Sequence, residues 1–590
     1  MTSALGGLHI EWARLFVHAL ADAGIRDVVL SPGSRSTPLV LAAAGEARVR
    51  CHPIVDERSA AFFALGQARA TGRPSALVCT SGTAGAHHLP AVIEAHQTHT
   101  PLLVVTADRP WELQDAAAAQ TIDQVKLFGG FVRHFAELGV PDDTPGALAA
   151  VTRIAAQAAF RTTWPTPGPV HVNARFRKPL EPVRRDGEPW RAELDLLLAR
   201  PAPRAVAPRA IPGDSVIEAL AERCARAERG LIVCGPAPLG PDPERLREAV
   251  LELARRTGFP LLAEATSQLR FGGAGPTRCS VFGAILASPA FAAAHGADLI
   301  LELGAPPTSA GYARYLAASP DCPRFVVAPH GWNDPTSRAT ALVMAEPVDV
   351  ARALSARLGE RPRPSAWAEA FAAADRRALA VVEAELASGV LTEGLVARSV
   401  VHACPAGSLL AIGNSLPVRH LDTYCPAGDR ALGVLHQRGA SGIDGLVSGA
   451  LGARSVSASP VTLLLGDLSL LHDLGGLALA REVPGPFVAV VVQNGGGRIF
   501  DQLPLAGAID APALMERCFT MPQPLDLAHA AALFGMAFAR ASTPPELADA
   551  LARAHAGSGA TLIEAVVLPG DARLRAARIQ RWDQDSSDQD

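Results

Sequence analysis

Short β-branched apolar runs recur along this chain, each followed by a polar loop marked with glycine or proline and then by an alanine-rich helical stretch. Such a pattern buries its apolar runs by stacking them as parallel strands with helices on both faces, an α/β layering. In the first third the runs are Val28–Leu30, Ala76–Cys79, Leu102–Thr106 and Val170–Asn173. The first three end in Ser31-Pro-Gly-Ser-Arg35, Ser81-Gly-Thr83 and Asp108-Arg-Pro110. Open parallel sheets take ligands beyond the carboxyl ends of their strands, so chemistry is expected in these loops. A second block carries Leu231–Cys234, Leu299–Leu303 and Phe325–Val327; a third carries Leu409–Ile412, Val461–Leu465, Phe487–Val492 and Leu562–Val567. Two aperiodic stretches rich in Pro and Arg, 180–213 and Gly359 to Pro364, read as linkers, and the polar tail Asp583 to Asp590 is expected to fray. At about 150 residues per domain the prior is three or four domains. Three fit better, over residues 1–185, 205–358 and 365–582 of the 590.

The formal net charge is −4, which gives no global basic field for nucleic acid or an anionic membrane. Basic charge is almost all arginine; Lys126 and Lys178 are the only lysines, so lysine Schiff-base chemistry is not expected. The long uncharged stretch Cys279 to Ala297 is interrupted by Pro289 and His295, whereas a membrane span needs about 20 continuous apolar residues. The start, Met1 to Ile10, lacks the basic and apolar regions of a signal peptide. Nine scattered cysteines with no Cys-x-x-Cys pair fit free thiols in a reducing compartment. A cytoplasmic protein is expected.

Of four Gly-Asp pairs, only Gly466-Asp467 directly follows a strand pattern, Val461–Leu465. Leu468 and Ser469 come next, then a helical pattern, then the strand Phe487–Val492, which ends in Gln493-Asn494-Gly-Gly-Gly497. Asn494 lies 27 residues beyond Asp467, so a carboxylate and a carboxamide stand at the carboxyl ends of two strands of one βαβ unit. Oxygen donors of this kind suit Mg²⁺, which shares its sites with phosphate oxygens, and the glycines offer a backbone carbonyl, that of Gly496, as a further ligand. A helix after Ser469 would turn its amides toward the same phosphates. The alternative is a strand-end turn aspartate and an unrelated Asn-Gly turn. The arrangement resembles the diphosphate-binding motif of thiamine diphosphate enzymes.

That chemistry also needs an acid to hydrogen-bond N1′ of the aminopyrimidine, in surroundings apolar enough to hold its proton near neutral pH. Glu57, in Val55-Asp-Glu-Arg-Ser-Ala-Ala-Phe-Phe63, opens an apolar helix in the first block and is the candidate catalytic acid; read alone it is a solvated helix-start glutamate.

Further segments resemble one branch of that superfamily, the 2-succinyl-5-enolpyruvyl-6-hydroxy-3-cyclohexene-1-carboxylate synthase family of menaquinone biosynthesis. They are Ser31–Leu39, Thr80–Thr83, Thr106–Pro110, Gln120–Gln124, Gly413–Arg419, Arg438–Gly445, Gly466–Ser469 and Asn494–Phe500, in the family order and over nearly the whole chain. The resemblance implies three doubly wound parallel-sheet domains (pyrimidine-binding, central and diphosphate-binding). It implies a transferase using thiamine diphosphate with Mg²⁺ or Mn²⁺. Such an enzyme decarboxylates 2-oxoglutarate and adds the succinyl-semialdehyde unit to isochorismate. Both substrates are dicarboxylates, which arginine's rigid fork orients better than lysine. By the family pattern Arg35, Arg109, Gln120, Ser415, Arg419 and Arg438 line the substrate pocket, although any one arginine alone reads equally as a surface ion pair. Ile443 matches the apolar prop beneath the cofactor, and Ile499 and Phe500 match apolar residues beside the reacting centre. Ser81 and Thr83 contact the cofactor or simply cap a helix. In Pro306-Pro-Thr-Ser-Ala-Gly-Tyr-Ala-Arg314, Ala310 and Gly311 stand where a basic residue is expected, leaving Arg314 or Arg270 as substitutes. The resemblance further implies a homodimer with its sites at the interface, or a homotetramer. Two readings compete: another thiamine diphosphate-dependent carboligase or decarboxylase acting on pyruvate, with a flavin in the central block, and a non-catalytic scaffold.

Overall fold

The computed structural model describes residues 7–182, 190–240, 242–273, 278–359 and 365–584. Among the described residues, eighteen strands form three six-stranded sheets in which every pairing is parallel. The first holds β1 (Asp27–Leu30), β2 (Arg50–Pro53), β3 (Ser75–Cys79), β4 (Leu102–Asp108), β5 (His134–Gly139) and β6 (Pro169–Arg175), in the order β2-β1-β3-β4-β6-β5. The second holds β7 (Gly230–Cys234), β8 (Leu261–Ala263), β9 (Arg278–Cys279), β10 (Leu299–Leu303), β11 (Arg324–Val327) and β12 (Ala341–Val343), in the order β12-β11-β10-β7-β8-β9. The third holds β13 (Leu409–Ile412), β14 (Gly433–His436), β15 (Val461–Gly466), β16 (Phe487–Gln493), β17 (Ala537–Ala541) and β18 (Ala560–Val566), in the order β14-β13-β15-β16-β18-β17. This is the expected α/β, doubly wound architecture, and the winding reverses between β1 and β3, between β7 and β10, and between β13 and β15. Ligands of such sheets bind at these reversal points.

All eleven apolar runs of the sequence are strands. The strands the sequence did not announce are the sheet edges β2, β5, β9, β12, β14 and β17, together with β8. An edge strand is covered on fewer sides, so it need not carry a continuous apolar run: β2 is Arg-Cys-His-Pro, with both ends exposed. β8, Leu-Leu-Ala, is a short apolar run buried throughout, and the sequence reading passed over it. The 180–213 stretch also differs from the linker expected: Arg191–Leu198 is a helix with Trp190 and Leu194 buried in the core beneath the first sheet, two anchors too few to register as periodicity. Residues 360–364 and 585–590 lie outside the described residues; of the tail, Asp583 accepts a hydrogen bond from Ser288, and Trp582 just before it is buried. No described helix is long and apolar enough to cross a membrane, and all nine cysteines are free thiols.

The chain divides into two compact units. One comprises the described residues of Met1–Pro208 with Gln437–Ala458 and Asp473–Val483; the other comprises Arg209–His436, Ser459–His472 and Pro484–Asp590. In the first unit the helix Glu57–Thr71 packs along the helix Leu446–Val456. The contact is backbone on backbone: a Cβ on Gly66 would overlap the Gly449 carbonyl, and one on Gly452 would overlap the Phe63 carbonyl. Asp473 fixes the start of the second helix by accepting hydrogen bonds from the Ser448 N–H at 2.8 Å and its Oγ at 3.0 Å. In the second unit, one core fills the β13–β18 sheet and another joins the second sheet to Trp367, Phe371 and Trp582.

Two expectations follow. Gly66→Ala should lower stability by about 1–3 kcal/mol, the cost of an added methyl group in a packed contact, seen as a lower urea midpoint at unchanged slope. Burial raises the Asp473 pKa to about 6, so between pH 4 and 6 the folded chain holds a proton that the unfolded chain has lost. This carboxyl therefore makes stability fall as pH rises through that window and level off above it. Asp473→Asn should remove that fall, gaining roughly 2–3 kcal/mol on the wild type between pH 4 and 7 in urea titrations.

Candidate active site

In the first unit the site is built on the reversal between β1 and β3. The chain leaving β1 makes a short 3₁₀ turn, Ser34–Ser36, that carries Arg35. This side chain is 6% exposed; Nη1 donates to the Phe176 carbonyl at 2.6 Å, while Nε is buried without a hydrogen-bond partner. At the end of β4, Arg109 donates to Ser81 Oγ, and Gln120, held at φ +57°, donates to the Ser81 carbonyl at 3.1 Å. Burial, then the Arg109 charge, draws the Arg35 guanidinium below its usual pKa, and burial does the same to Arg109. The nearest carboxylate, Asp108, is fully buried and paired with Arg175 at 2.9 Å, and Arg175 also meets Glu137 at 3.3 Å. Three guanidiniums thus face two carboxylates, leaving positive charge at the mouth of the sheet.

Ser81 is buried and Thr83 exposed. Neither caps the helix Thr83–Ala86, whose N-cap is Gly82 with no side-chain hydrogen bond, so the helix-capping alternative does not hold. The loop is pinned instead by Gln124, which accepts from the Gly82 N–H at 3.0 Å and donates to Asn173 Oδ1 at 3.1 Å. Glu57 opens its helix behind the Asp56 cap, which accepts from the Arg58 N–H at 2.8 Å. In the single chain Glu57 is half exposed beside Val55, which is 84% exposed, so the apolar enclosure expected of this acid is not complete there. Arg438 and Ile443, both half-buried, lie on the loop leading into the helix Leu446–Val456. Glu94 holds that loop by accepting from the Gly439 and Ala440 N–H groups at 3.1 and 2.6 Å while pairing with Arg69 at 2.6 Å.

In the second unit the site forms on β13, β15 and β16. The parallel register sets Gly466 opposite Val492, which brings Asp467 and Asn494 to the same end of neighbouring strands. Asp467 is 3% exposed; Oδ1 accepts from the Leu468 N–H and Oδ2 from the Gly496 N–H, each at 2.7 Å. The helix begins at Asp467 itself and runs only to His472, so Leu468 and the buried Ser469 sit in its first turn and not before it, as expected from the sequence. Gly496 lies at φ +105°, where a Cβ would overlap the Thr520 carbonyl, and its own carbonyl accepts from the Arg498 N–H at 2.8 Å, one of its two lone pairs. Asn494 donates through Nδ2 to Glu393 at 3.0 Å, and its Oδ1 is buried with no partner. Burial raises Asp467 above the usual carboxylate range and Glu393 to about 7. An orphaned carboxamide oxygen, a buried carboxylate and a backbone carbonyl form an all-oxygen donor set that fits a hard divalent cation.

At the end of β13, Ser415 adopts φ +69° and Arg419, one turn on, donates to the Ser415 carbonyl at 2.7 Å with its side chain exposed. Ile499 and Phe500 are half-buried on the 3₁₀ turn Arg498–Gln502, with Phe500 edge-on to Phe519 at 5.6 Å. Arg270 is no substitute for the missing basic residue of the second block: it is fully buried, and its guanidinium donates to the carbonyls of Ala263, Ser280, Asp422 and Cys425. Arg314 is exposed.

Sequence comparison matches residues 10–127 to the family described as thiamine pyrophosphate enzyme, N-terminal TPP binding domain, and residues 429–565 to the corresponding C-terminal TPP binding domain. The fold and the site together therefore define a thiamine diphosphate-dependent enzyme. Among its relatives, a 2-succinyl-5-enolpyruvyl-6-hydroxy-3-cyclohexene-1-carboxylate synthase of Sorangium cellulosum is 64% identical, over 98% of this chain and 96% of the relative. Synthases of the same name from Myxococcus xanthus and Geobacillus thermodenitrificans are each 40% identical, over 95% and 96% of this chain and 95% and 94% of theirs. The chain belongs to the 2-succinyl-5-enolpyruvyl-6-hydroxy-3-cyclohexene-1-carboxylate synthase family and is an enzyme of that type.

Proposed function

We propose that this enzyme decarboxylates 2-oxoglutarate and joins the four-carbon unit to isochorismate in a 1,4-addition, using thiamine diphosphate with magnesium or manganese. The observation that carries the substrate assignment is the arginine cluster of the first unit. The Arg109 charge bears on Arg35, Asp108 is paired with Arg175 and only partly offsets the other two arginines, and Arg35 Nε is a buried donor without an acceptor. A carboxylate satisfies that donor and relieves the repulsion at once, and a dicarboxylate engages two such arginines. Arg419 and Arg438, with Gln120 and Ser415, complete the anion contacts in this reading.

When bound, thiamine diphosphate supplies a nucleophilic carbon that adds to the 2-oxo group and takes up the electrons released with CO₂. Glu57 holds the proton at N1′ of the aminopyrimidine. Ile443 props the cofactor from below, and Gly466, Leu468 and Ser469 with Ser81 and Thr83 line its two ends. Asp467, Asn494 and the Gly496 carbonyl hold the cation against the diphosphate. Ile499 and Phe500 keep water from the carboxylate that departs, which favours loss of a hydrated charge.

In this reading residues 1–185, 205–358 and 365–582 are the pyrimidine-binding, central and diphosphate-binding domains. A homodimer, alone or paired into a tetramer, completes the enclosure of Glu57; Val55 and Trp111, 84% and 59% exposed on the first unit, are the kind of surface such a partner covers. The cell compartment is the cytoplasm. In the second sheet the reversal between β7 and β10 is filled by the chain's own backbone, where a Cβ on Gly235 would overlap the Ala305 carbonyl. That packing argues against a flavin nucleotide at that reversal.

With isochorismate present, 2-oxoglutarate should be consumed at least about tenfold faster than pyruvate, the value of one charge-assisted pair. Faster use of pyruvate in the same assay would transfer the chain to the competing carboligase reading. Glu57→Gln should cut turnover by about 100-fold or more with little change in melting temperature; near-normal turnover would remove the proton-holding role.

A further inference from the structure

Asn494 is a carboxamide whose two ends differ only in what they accept or donate, so its neighbours decide which end faces the diphosphate. Glu393 is the neighbour that decides. It is buried at the first position of the helix Glu393–Ala403 and lies 101 residues upstream in the chain. Its Oε1 sits 3.0 Å from Asn494 Nδ2. When Glu393 is ionised, a flipped amide would set two oxygens against each other there. The oxygen of that amide, Oδ1, is left buried and unpartnered, a state that calls for a partner such as a water, an ion or a ligand.

Glu393 is itself fixed from three directions. Thr392 caps the helix by accepting from the Leu395 N–H at 3.2 Å. Gly394, where a Cβ would meet the Tyr424 ring at 2.7 Å, lets that ring close over the turn. His420 Nδ1 approaches Glu393 Oε2 at 3.6 Å. We propose that Glu393 is a positioning residue: by accepting the Asn494 amide hydrogen, it aims Asn494 Oδ1 at the divalent cation and pre-orients that ligand before cofactor binding. The inference rests on the cation assignment made above and adds a residue outside the donor set.

The test is Mn²⁺ affinity, read by electron paramagnetic resonance on the full-length chain in saturating thiamine diphosphate, with melting temperature followed in the absence of both. Glu393→Leu, which withdraws the acceptor, should weaken Mn²⁺ binding about 10–100-fold, the usual loss when the partner of a metal ligand is removed. Glu393→Gln, which can still accept from Nδ2, should stay within about threefold of wild type. In an Asn494→Ala background Glu393→Leu should have no further effect, because Glu393 acts through that side chain. Additive losses in the double variant, or an Mn²⁺ affinity within threefold of wild type for Glu393→Leu, would overturn the positioning role while leaving the cation site standing. Unchanged Mn²⁺ affinity in Asp467→Ala would instead overturn the cation site. Should Glu393→Leu fail to fold, Glu393→Asp replaces it, since one methylene less withdraws the acceptor and the same loss is expected.

Discussion

A parallel sheet with helices on both faces leaves no internal strand with a free edge or a wet face. Every side chain along β3, β4 and β6 is buried, so none of those strands offers a surface to a ligand. Chemistry is forced out to the loops at the carboxyl ends, and the reversal of winding opens a crevice between two of them. Arg35 and Ser81 flank one such reversal, and Ser415 and Asp467 flank another, because β1 and β3, and β13 and β15, are hydrogen-bonded neighbours. The same winding in the second sheet yields a crevice packed with its own backbone. One architecture thus places charged and polar loop residues at two of its reversals and closely packed backbone at the third.

Electrostatics divides the labour between the units. Around β4 and β6 the chain buries more positive than negative charge: the two carboxylates are held by Arg175, which also lies 3.8 Å beneath the Trp111 ring. Around β15 and β16 it buries the opposite sign, with the Asp467 charge adding to the cost of ionising Glu393. Burying unneutralised charge is expensive, and a fold tolerates it where a ligand of opposite charge completes the set. An anionic substrate and a cation-bridged phosphate are the ligands those two imbalances fit.

The legible part of the fold was its interior. Strands such as Val461–Gly466 and Phe487–Gln493 are walled in on all sides and must be continuously apolar, so they stand out in one dimension. β2 and β17 are half exposed and lose that signal, as does the helix Arg191–Leu198 with two buried anchors. Within the candidate site, Asp467, Asn494 and Arg35 could be singled out because each lies in the loop that ends an apolar run. Gln124 was within reach, since it closes the Gln120–Gln124 segment already singled out. Glu94 and Glu393 gave no local sign, and each was missed because its partner lies hundreds of positions or one hundred positions away: 345 residues from Glu94 to Gly439, 101 from Glu393 to Asn494.

By itself the sequence determined the layering, the loops that carry chemistry and the residue types available there, because burial and periodicity are local demands that a strand or helix must meet in its own residues. Tertiary structure alone decided which of those loops become neighbours, that Ser81 receives Arg109 instead of capping a helix, that Arg270 is spent on four backbone carbonyls, and that the Asn494 amide is turned by Glu393. These are choices among partners distant along the chain, and strand order and register, which fix them, are written in no single segment.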